Sequence, residues 1–342
     1  MKSPAFISAL QEQTKGGIKT EIKAKTLLSI NVQLPPLSEQ KRINKRFDSF
    51  ENELIRLGYE ISNQQTYLIQ LRQAILQEAI EGKLTADWRI KNPIQKGDPN
   101  FDATALLEQI KAEKQRLITE GKIQKEKPLF SINPDDIPFA LPDGWVWVRL
   151  GRITKENPRN GYSPKEVNYV TSVKSLKLGA TTSGYFNSDK FKYIDENIAR
   201  DSYLWLEEND ILIQRSNSIE YVGVSAIYKG GHHEFIYPDL MMKIRVISPI
   251  SHFFVYRSLS TFSSRSYFRK LATGSQKSMP KINQGTVLNA LVALPSLAEQ
   301  QAIVERIDRL LESVNAIEKQ VSERKNYAQK LMQAVLREAF AG

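Results

Sequence analysis

Residues 26–82 of this chain recur at residues 286–342. The two segments align without a gap at a constant offset of 260, and 20 of their 57 positions are identical. The matches include Leu34-Pro35/Leu294-Pro295, Glu39-Gln40/Glu299-Gln300, Arg46/Arg306, Asp48/Asp308, Tyr67/Tyr327, Gln73-Ala74/Gln333-Ala334 and Gly82/Gly342. Two unrelated amphipathic helices would share a period but not the aperiodic Leu-Pro-x-Leu-x-Glu-Gln start, so the segment is a duplication. Each copy reads as one long helix with a narrow apolar stripe. In the first, Ile43, Phe47, Phe50, Leu54, Leu57, Ile61, Gln64, Leu68, Leu71, Ile75 and Glu78 follow alternating steps of four and three. In the second, Ile303, Ile307, Leu310, Val314, Ile317, Val321, Arg324, Ala328, Leu331, Val335 and Glu338 do the same. The polar exceptions fall at equivalent places, and the remainder is the pattern of a coiled-coil seam. Such a helix makes a rod of roughly 60 Å, too long to bury across one small domain. Its stripe therefore calls for a partner helix, and the zero net charge of residues 38–80 and of 286–342 suits a helix-to-helix contact. Ser296 with Glu299 has the form of a capping box. Pro36 replaces that serine in the first copy, where Glu39 still places negative charge in the first turn, as the helix dipole favours.

Between the copies the texture changes twice. Residues 83–140 read as a linker broken at Asn92-Pro93, Gly97-Asp98-Pro99 and Asn133-Pro134, with one short helix capped by Asp102 and stopped at Gly121. Residues 141–285 carry short β-rich runs: Trp145 to Leu150, Tyr169 to Val173, Asp210 to Arg215, Val222 to Tyr228 and Met241 to Ile247. One helix is expected from Ser251 to Leu271. The fold class is α+β, a mixed α/β domain flanked by two long helices.

The net charge of +10 sits mainly in that domain, +7 of it in residues 141–285. No Asp or Glu occurs between Asp239 and Glu299, whereas Lys243, Arg245, Arg257, Arg265, Arg269, Lys270, Lys277 and Lys281 do. A polyanion partner and a solvated basic face both fit this distribution. Direct reading of DNA bases uses Arg or Lys for guanine, Asn or Gln for adenine, and hydroxyls for phosphate or either base. Arg215-Ser216-Asn217-Ser218 has that chemistry in a loop after a strand; the alternative is a structural turn. Ser275-Gln276-Lys277-Ser278 has it in a polar loop; the alternative is a phosphate contact without sequence preference. Tyr162 and Lys174 are weaker candidates, and Trp145 and Trp147, alternating with valines, read as core.

Catalysis finds no support. The chain has no cysteine, which removes disulfides, thiolate metal sites and cysteine nucleophiles. It has no Gly-x-x-x-x-Gly-Lys-Ser/Thr phosphate loop, no Asn/Asp-Pro-Pro-Tyr/Phe methyltransferase motif, and no acidic residues in its most basic stretch for a metal-dependent nuclease. His232-His233 lacks a spaced third ligand. No run approaches the ~20 apolar residues of a membrane helix, and Met1 to Phe6 lacks a signal-peptide core. A cytoplasmic protein without membrane contact is the expectation.

These residues together resemble the specificity (S) subunit of Type I DNA restriction-modification systems. The resemblance rests on four features: the two Leu-Pro-x-Leu-x-Glu-Gln starts; Gln-Ala-[Ile/Val]-Leu-x-Glu-Ala, followed after the first copy by Gly82-Lys83-Leu84-Thr85-x-x-Trp88-Arg89; Leu141-Pro-Asp-Gly-Trp145-Val-Trp-Val-Arg-Leu-Gly151; and Asp210-Ile-Leu-Ile-Gln-Arg215-Ser-Asn-Ser218 with Val222-Gly-Val-Ser-Ala-Ile227. It implies a target-recognition domain at 141–285, conserved spacer helices at 34–82 and 286–342 that pair as an antiparallel coiled coil, and a linker at 83–140. Residues 1–33 then correspond to the tail of a first recognition domain, most of which is missing.

The implied role is non-catalytic: reading one DNA half-site in host defence while scaffolding modification (N6-adenine methyltransferase) and restriction/translocase subunits. A second specificity chain or fragment could act in trans. S-adenosylmethionine, ATP and Mg belong to the partner subunits, and this chain binds no cofactor. The alternative is a truncated subunit acting as a protein-interaction scaffold with sequence-blind DNA affinity.

Overall fold

The computed structural model describes residues 24–29, 36–125, 128–274 and 279–340, together with Ser8. The candidate loop Ser275, Gln276, Lys277 and Ser278, and most of residues 1–33, lie outside the described residues. In chain order the elements used below are α1 (Leu37–Ile80), α2 (Ala86–Lys91), α3 (Ala103–Thr119), β1 (Val146–Arg149), β2 (Arg159–Asn160), β3 (Val173–Leu176), β4 (Phe191–Ile194), β5 (Ile211–Gln214), β6 (Ser225–Ile227), β7 (Phe235–Ile236), β8 (Met241–Ile244), α4 (His252–Leu259), α5 (Phe262–Leu271), α6 (Gln284–Leu288), β9 (Leu291–Leu294) and α7 (Leu297–Phe340). They form two compact units, one of residues 1–71 with 312–342 and one of residues 72–311.

The first unit pairs the earlier part of α1 with the later part of α7. The chain leaves this unit along α1 at Leu71 and re-enters along α7 at Glu312, so the helices run antiparallel. Gln64, Tyr67, Leu68 and Leu71 line one groove with Ile317, Gln320, Val321 and Arg324. Antiparallel order sets Gln64 level with Arg324, its own equivalent in the repeat. Only one of the two seam rows is well shielded: Leu54, Ile61 and Leu68 on α1, Val314 and Val321 on α7, each spaced by seven. These occupy the same heptad position in both copies. The other row is looser: Leu71 and Ile317, which line the groove, and Leu331 further along are all exposed.

In the second unit, β2-β8-β5-β6 form an antiparallel sheet, β4-β3-β7 a three-stranded sheet with β3 and β7 parallel, and β1-β9 a two-stranded ribbon. Leu176, Leu206, Leu212, Tyr228, Phe235, Tyr237 and Met241 make one buried cluster, and Val173, Ile194, Leu204, Trp205 and Ile236 another. Each large apolar side chain so buried is worth about 1.5–3 kcal/mol. Every residue of β5 and β8 is buried, because both faces of these central strands are covered.

Three expectations need correction. The strand expected at Tyr169 to Val173 lies instead at Val173–Leu176, since the ladder with β4 begins only at the Val173↔Ile194 pair. The single helix expected over Ser251 to Leu271 is two helices: Ser260 ends α4, and the Thr261 side chain accepts from Ser264 N to cap α5. The segment read as the second spacer, 286–342, begins in the last residues of α6 and continues as β9 before its long helix; β9 pairs with β1 in the register Val146↔Leu294 to Arg149↔Leu291. The linker, for its part, is packed. Leu106 and Ile110 of α3 are fully buried, Asp102 caps α3 as expected, and Lys114 Nζ donates to Gly151 O at 2.8 Å.

The start of α7 also departs from a capping box. Glu299 is buried, and its carboxylate accepts from Trp145 Nε1 at 2.7 Å, Thr85 Oγ1 at 2.7 Å and Arg89 Nη1 at 2.6 Å. A charge removed from water is best compensated by such a full set of donors, which outcompetes a single backbone N–H.

Candidate nucleic-acid interface

The antiparallel register of the four-stranded sheet gathers several loops at one of its ends. Gln214 at the close of β5 lies opposite Met241 at the start of β8, and Asn160 at the close of β2 lies opposite Met242. The loops leaving β2 and β5 and the turn entering β8 therefore meet. Tyr162 N donates to Tyr237 O, Arg215 N and Ser216 N donate to Leu240 O, and Ile282 N donates to Arg215 O. Bridges from Lys281 to Ser216 and to Thr273 bring the base of the loop at 275–278 to the same place. Two glycines make this closeness possible. A Cβ on Gly161 would sit 2.0 Å from Tyr237 O, and Gly223, at φ +77°, leaves room for Phe268.

At this end Arg215 is half-buried, and its Nη1 donates to Asp239 O at 3.4 Å. Ser218 is exposed. Ser216, in contrast, is fully buried, so its hydroxyl is not presented to a ligand. Asn217 is held from within: its Nδ2 donates to Gln214 Oε1 at 2.7 Å and its Oδ1 accepts from Ser218 N. Tyr162 is exposed and donates to Glu196 Oε1 at 3.3 Å; that carboxylate raises the pKa of the phenol. Lys174 is not brought to this cluster. It lies on β3, 4.0 Å from Glu234 Oε1, over the rings of Phe191 and Phe235.

Sequence reasoning missed the bracing. Arg265 and Arg269 of α5 both donate to Glu220 O, tying the loop after β5 to the helix. Asp239 accepts from Ser163 Oγ and, through its backbone N, donates back to it. Nothing local in the sequence announces these long-range partners. Nor does the acid-free stretch form one basic surface. Lys243 is buried, donates to Tyr203 O and to Trp205 O at 3.0 Å, and lies 3.9 Å from Asp210. Burial pulls its pKa down to about 8 and pushes that of Asp210 up. Arg245 pairs with Asp210 and Glu207, and Arg257 with Asp308. A run without acids in sequence is therefore supplied with acids in space.

The molecule also has a larger cleft, about 1170 Å³, whose lining includes Arg159, Tyr203, Glu207, His232, His233 and Arg245. Arg159 and Arg245 there face Glu156, and Arg245 also faces Glu207, so much of its positive charge is matched. His232 and His233 lie ring to ring with centroids 3.8 Å apart. Among the described residues no group of three or more His, Cys, Asp or Glu side chains could hold a metal ion. No described helix is long and apolar enough to cross a membrane.

The sequence model of the Type I restriction modification DNA specificity domain matches residues 5–64 and 142–324. The specificity subunit of the Escherichia coli Type I restriction enzyme EcoEI is 30% identical over 246 residues, covering 70% of this chain and 39% of that protein. The EcoAI specificity subunit, also from Escherichia coli, is 28% identical over 366 residues, covering 92% of this chain and 59% of that protein. This chain thus spans 39% and 59% of the length of these two curated relatives. Among solved structures, a chain from work on complex assembly and conformational transition of the type I R-M system superposes with a TM-score of 0.60. It is 16% identical and covers 98% of this chain and 70% of that one.

Proposed function

This chain belongs to the Type I restriction-modification DNA specificity family, and from that premise we propose that it is a DNA-reading subunit that contributes no catalytic groups of its own. It reads one half-site with the loops at the end of the four-stranded sheet, while the paired helices scaffold modification and restriction subunits. Those partners supply S-adenosylmethionine, ATP and Mg chemistry in the cytoplasm, and a second specificity chain completes the target. The observation that carries this reading is the convergence of the loops holding Tyr162, Arg215 to Ser218 and Lys281 at one place, braced from behind by Arg265 and Arg269.

The division of labour follows from chemistry. Arg215 can offer a guanidinium fork to a guanine edge, Ser218 a hydroxyl, and the exposed Lys270 and Lys281 neutralise phosphates. Ser216 and Asn217 shape the loop, and Lys174 serves the β3 sheet. Footprinting with the modification subunit present tests the proposal. Arg215→Ala should cost about 1–3 kcal/mol on the preferred site and little on random DNA. Lys270→Ala should weaken both alike and flatten the salt dependence. Equal losses for both variants on both DNAs, with the partner subunit still bound, would favour the scaffold reading instead.

A further inference from the structure

The loop after β5 has two unlike sides. Its inward side is engaged with itself: Ser216 is buried, and Asn217 donates to Gln214 Oε1 while accepting from Ser218 N. Its outward side is the apex, Ser218, Ile219 and Glu220, all exposed. Ile219 keeps 49% of its surface in water. A lone exposed apolar residue is ordinary on a protein surface. What sets this one apart is the backbone beneath it and the charge beside it.

The backbone is held on both sides of Ile219. Before it, Ser218 O accepts from Tyr221 N at 2.9 Å and from Val222 N at 3.1 Å. After it, Glu220 O accepts from Arg265 Nη2 at 2.5 Å and from Arg269 Nη2 at 3.1 Å. The base of the loop is closed by Gly223 N, which donates to Gln214 O at 2.9 Å, and Gly223 packs against Phe268. A side chain on so fixed a backbone can meet a ligand without the entropy loss of ordering the loop.

The chemistry of the apex selects what that ligand is. A phosphate backbone is met by cations, hydroxyls and backbone N–H groups. Ile219 offers no such side-chain group, and the exposed carboxylate of Glu220 repels phosphate. Among the described residues that carboxylate makes no ion pair; the two arginines beside it donate to the backbone oxygen instead. An aliphatic side chain has one complement on the base edges of DNA, the 5-methyl group of thymine in the major groove.

We propose that Ile219 is a specificity-determining residue that packs against the 5-methyl group of a thymine, while Glu220 keeps the apex off the phosphate backbone. The inference rests on the DNA-reading role proposed above. It adds an apolar contact that the hydrogen-bonding groups of Arg215 and Ser218 cannot supply.

The full chain, with the modification subunit present, is used to select a preferred duplex from a random-sequence pool. Each thymine within the footprint is then replaced in turn by deoxyuridine, which removes the methyl group alone. One replacement should weaken wild-type binding about fourfold, the worth of one buried methyl group. Ile219→Ala should bind the thymine and deoxyuridine duplexes equally at that position, because the coupling between the two groups is gone. Glu220→Gln should raise the affinity for random duplex and so narrow the preference. If no methyl group matters, or if the methyl effect survives in Ile219→Ala, while Arg215→Ala still lowers the preference, this inference alone is overturned. Failure to select any preferred duplex overturns the reading function and this inference with it. Loss of the modification subunit from Ile219→Ala would make the apex a protein contact and overturn the inference too. Unchanged affinity of Glu220→Gln for random duplex would overturn the role given to the carboxylate.

Discussion

The two copies of the duplicated helix carry the same residues into opposite surroundings. Glu299 is buried beneath Trp145, Thr85 and Arg89, whereas its equivalent Glu39 pairs with Arg42 one turn further along an exposed helix face. Ile303 is fully buried, but Ile43 only half. Arg306 clasps Asp87 and the carbonyl of Leu84, and Asp308 takes Arg257; Arg46 and Asp48 are exposed. The repeated start is therefore more than a helix signal. Its polar residues form a latch, and in the second copy the partners of that latch come from the linker, from Trp145 just before β1, and from α4.

The sharpest way to break this comparison is to remove the equivalent acids one at a time. Glu299→Ala leaves Arg89 and Trp145 Nε1 without their acceptor in a dry site, so the second unit should lose about 3–5 kcal/mol. Glu39→Ala removes a surface pair of adjacent turns and should cost well under ~1 kcal/mol. Urea unfolding of the full chain measures both, and similar midpoints for the two variants would mean that the latch contributes nothing. The isoleucines sharpen the contrast without charge. Ile303→Ala should cost about 2–5 kcal/mol because its site is closed on all sides, whereas Ile43→Ala, half in water, should cost under half as much. Equal costs would show that the two starts are packed alike.

How much of this was legible in the sequence follows the range of the interactions. The heptad stripe is local, so both helices and their mutual need for a partner were readable. The cap at Asp102 and the stop at Gly121 were readable for the same reason. The stripe did not reveal which seam row closes: that depends on the antiparallel partner, which shields Leu68 and leaves Leu71 at the rim. Glu299 was misread because a capping box is the best local explanation of a serine followed three residues later by glutamate. Its true partners lie more than 150 positions away, at Trp145, Arg89 and Thr85. Strands β2, β4, β7 and β9 are two to four residues long and exist by pairing, not by pattern. In the candidate interface, the residue types at Arg215 to Ser218 were visible, but burial of Ser216 and the internal use of Asn217 were not.

The weakest member of the latch gives the finest test. Arg306 Nη2 donates to Asp87 Oδ2 at 2.9 Å, and this guanidinium holds the pKa of Asp87 down to about 2 from an ordinary 3.8. A carboxyl with a depressed folded-state pKa contributes stability that is complete above the unfolded value and lost as pH falls from about 4 toward 2. Wild type should therefore lose stability over that window faster than Arg306→Met, in which the largest cause of the depression is removed. Arg46→Met, at the equivalent place in the first copy, should keep the wild-type slope. Asp87 is exposed, so the difference should be small and should shrink further in salt, as a surface pair requires. Unfolding midpoints for the three proteins at pH 5, 4 and 3, at low and high ionic strength, decide it. Parallel curves for wild type and Arg306→Met would place the hold of the second copy on Glu299 and the apolar contacts alone.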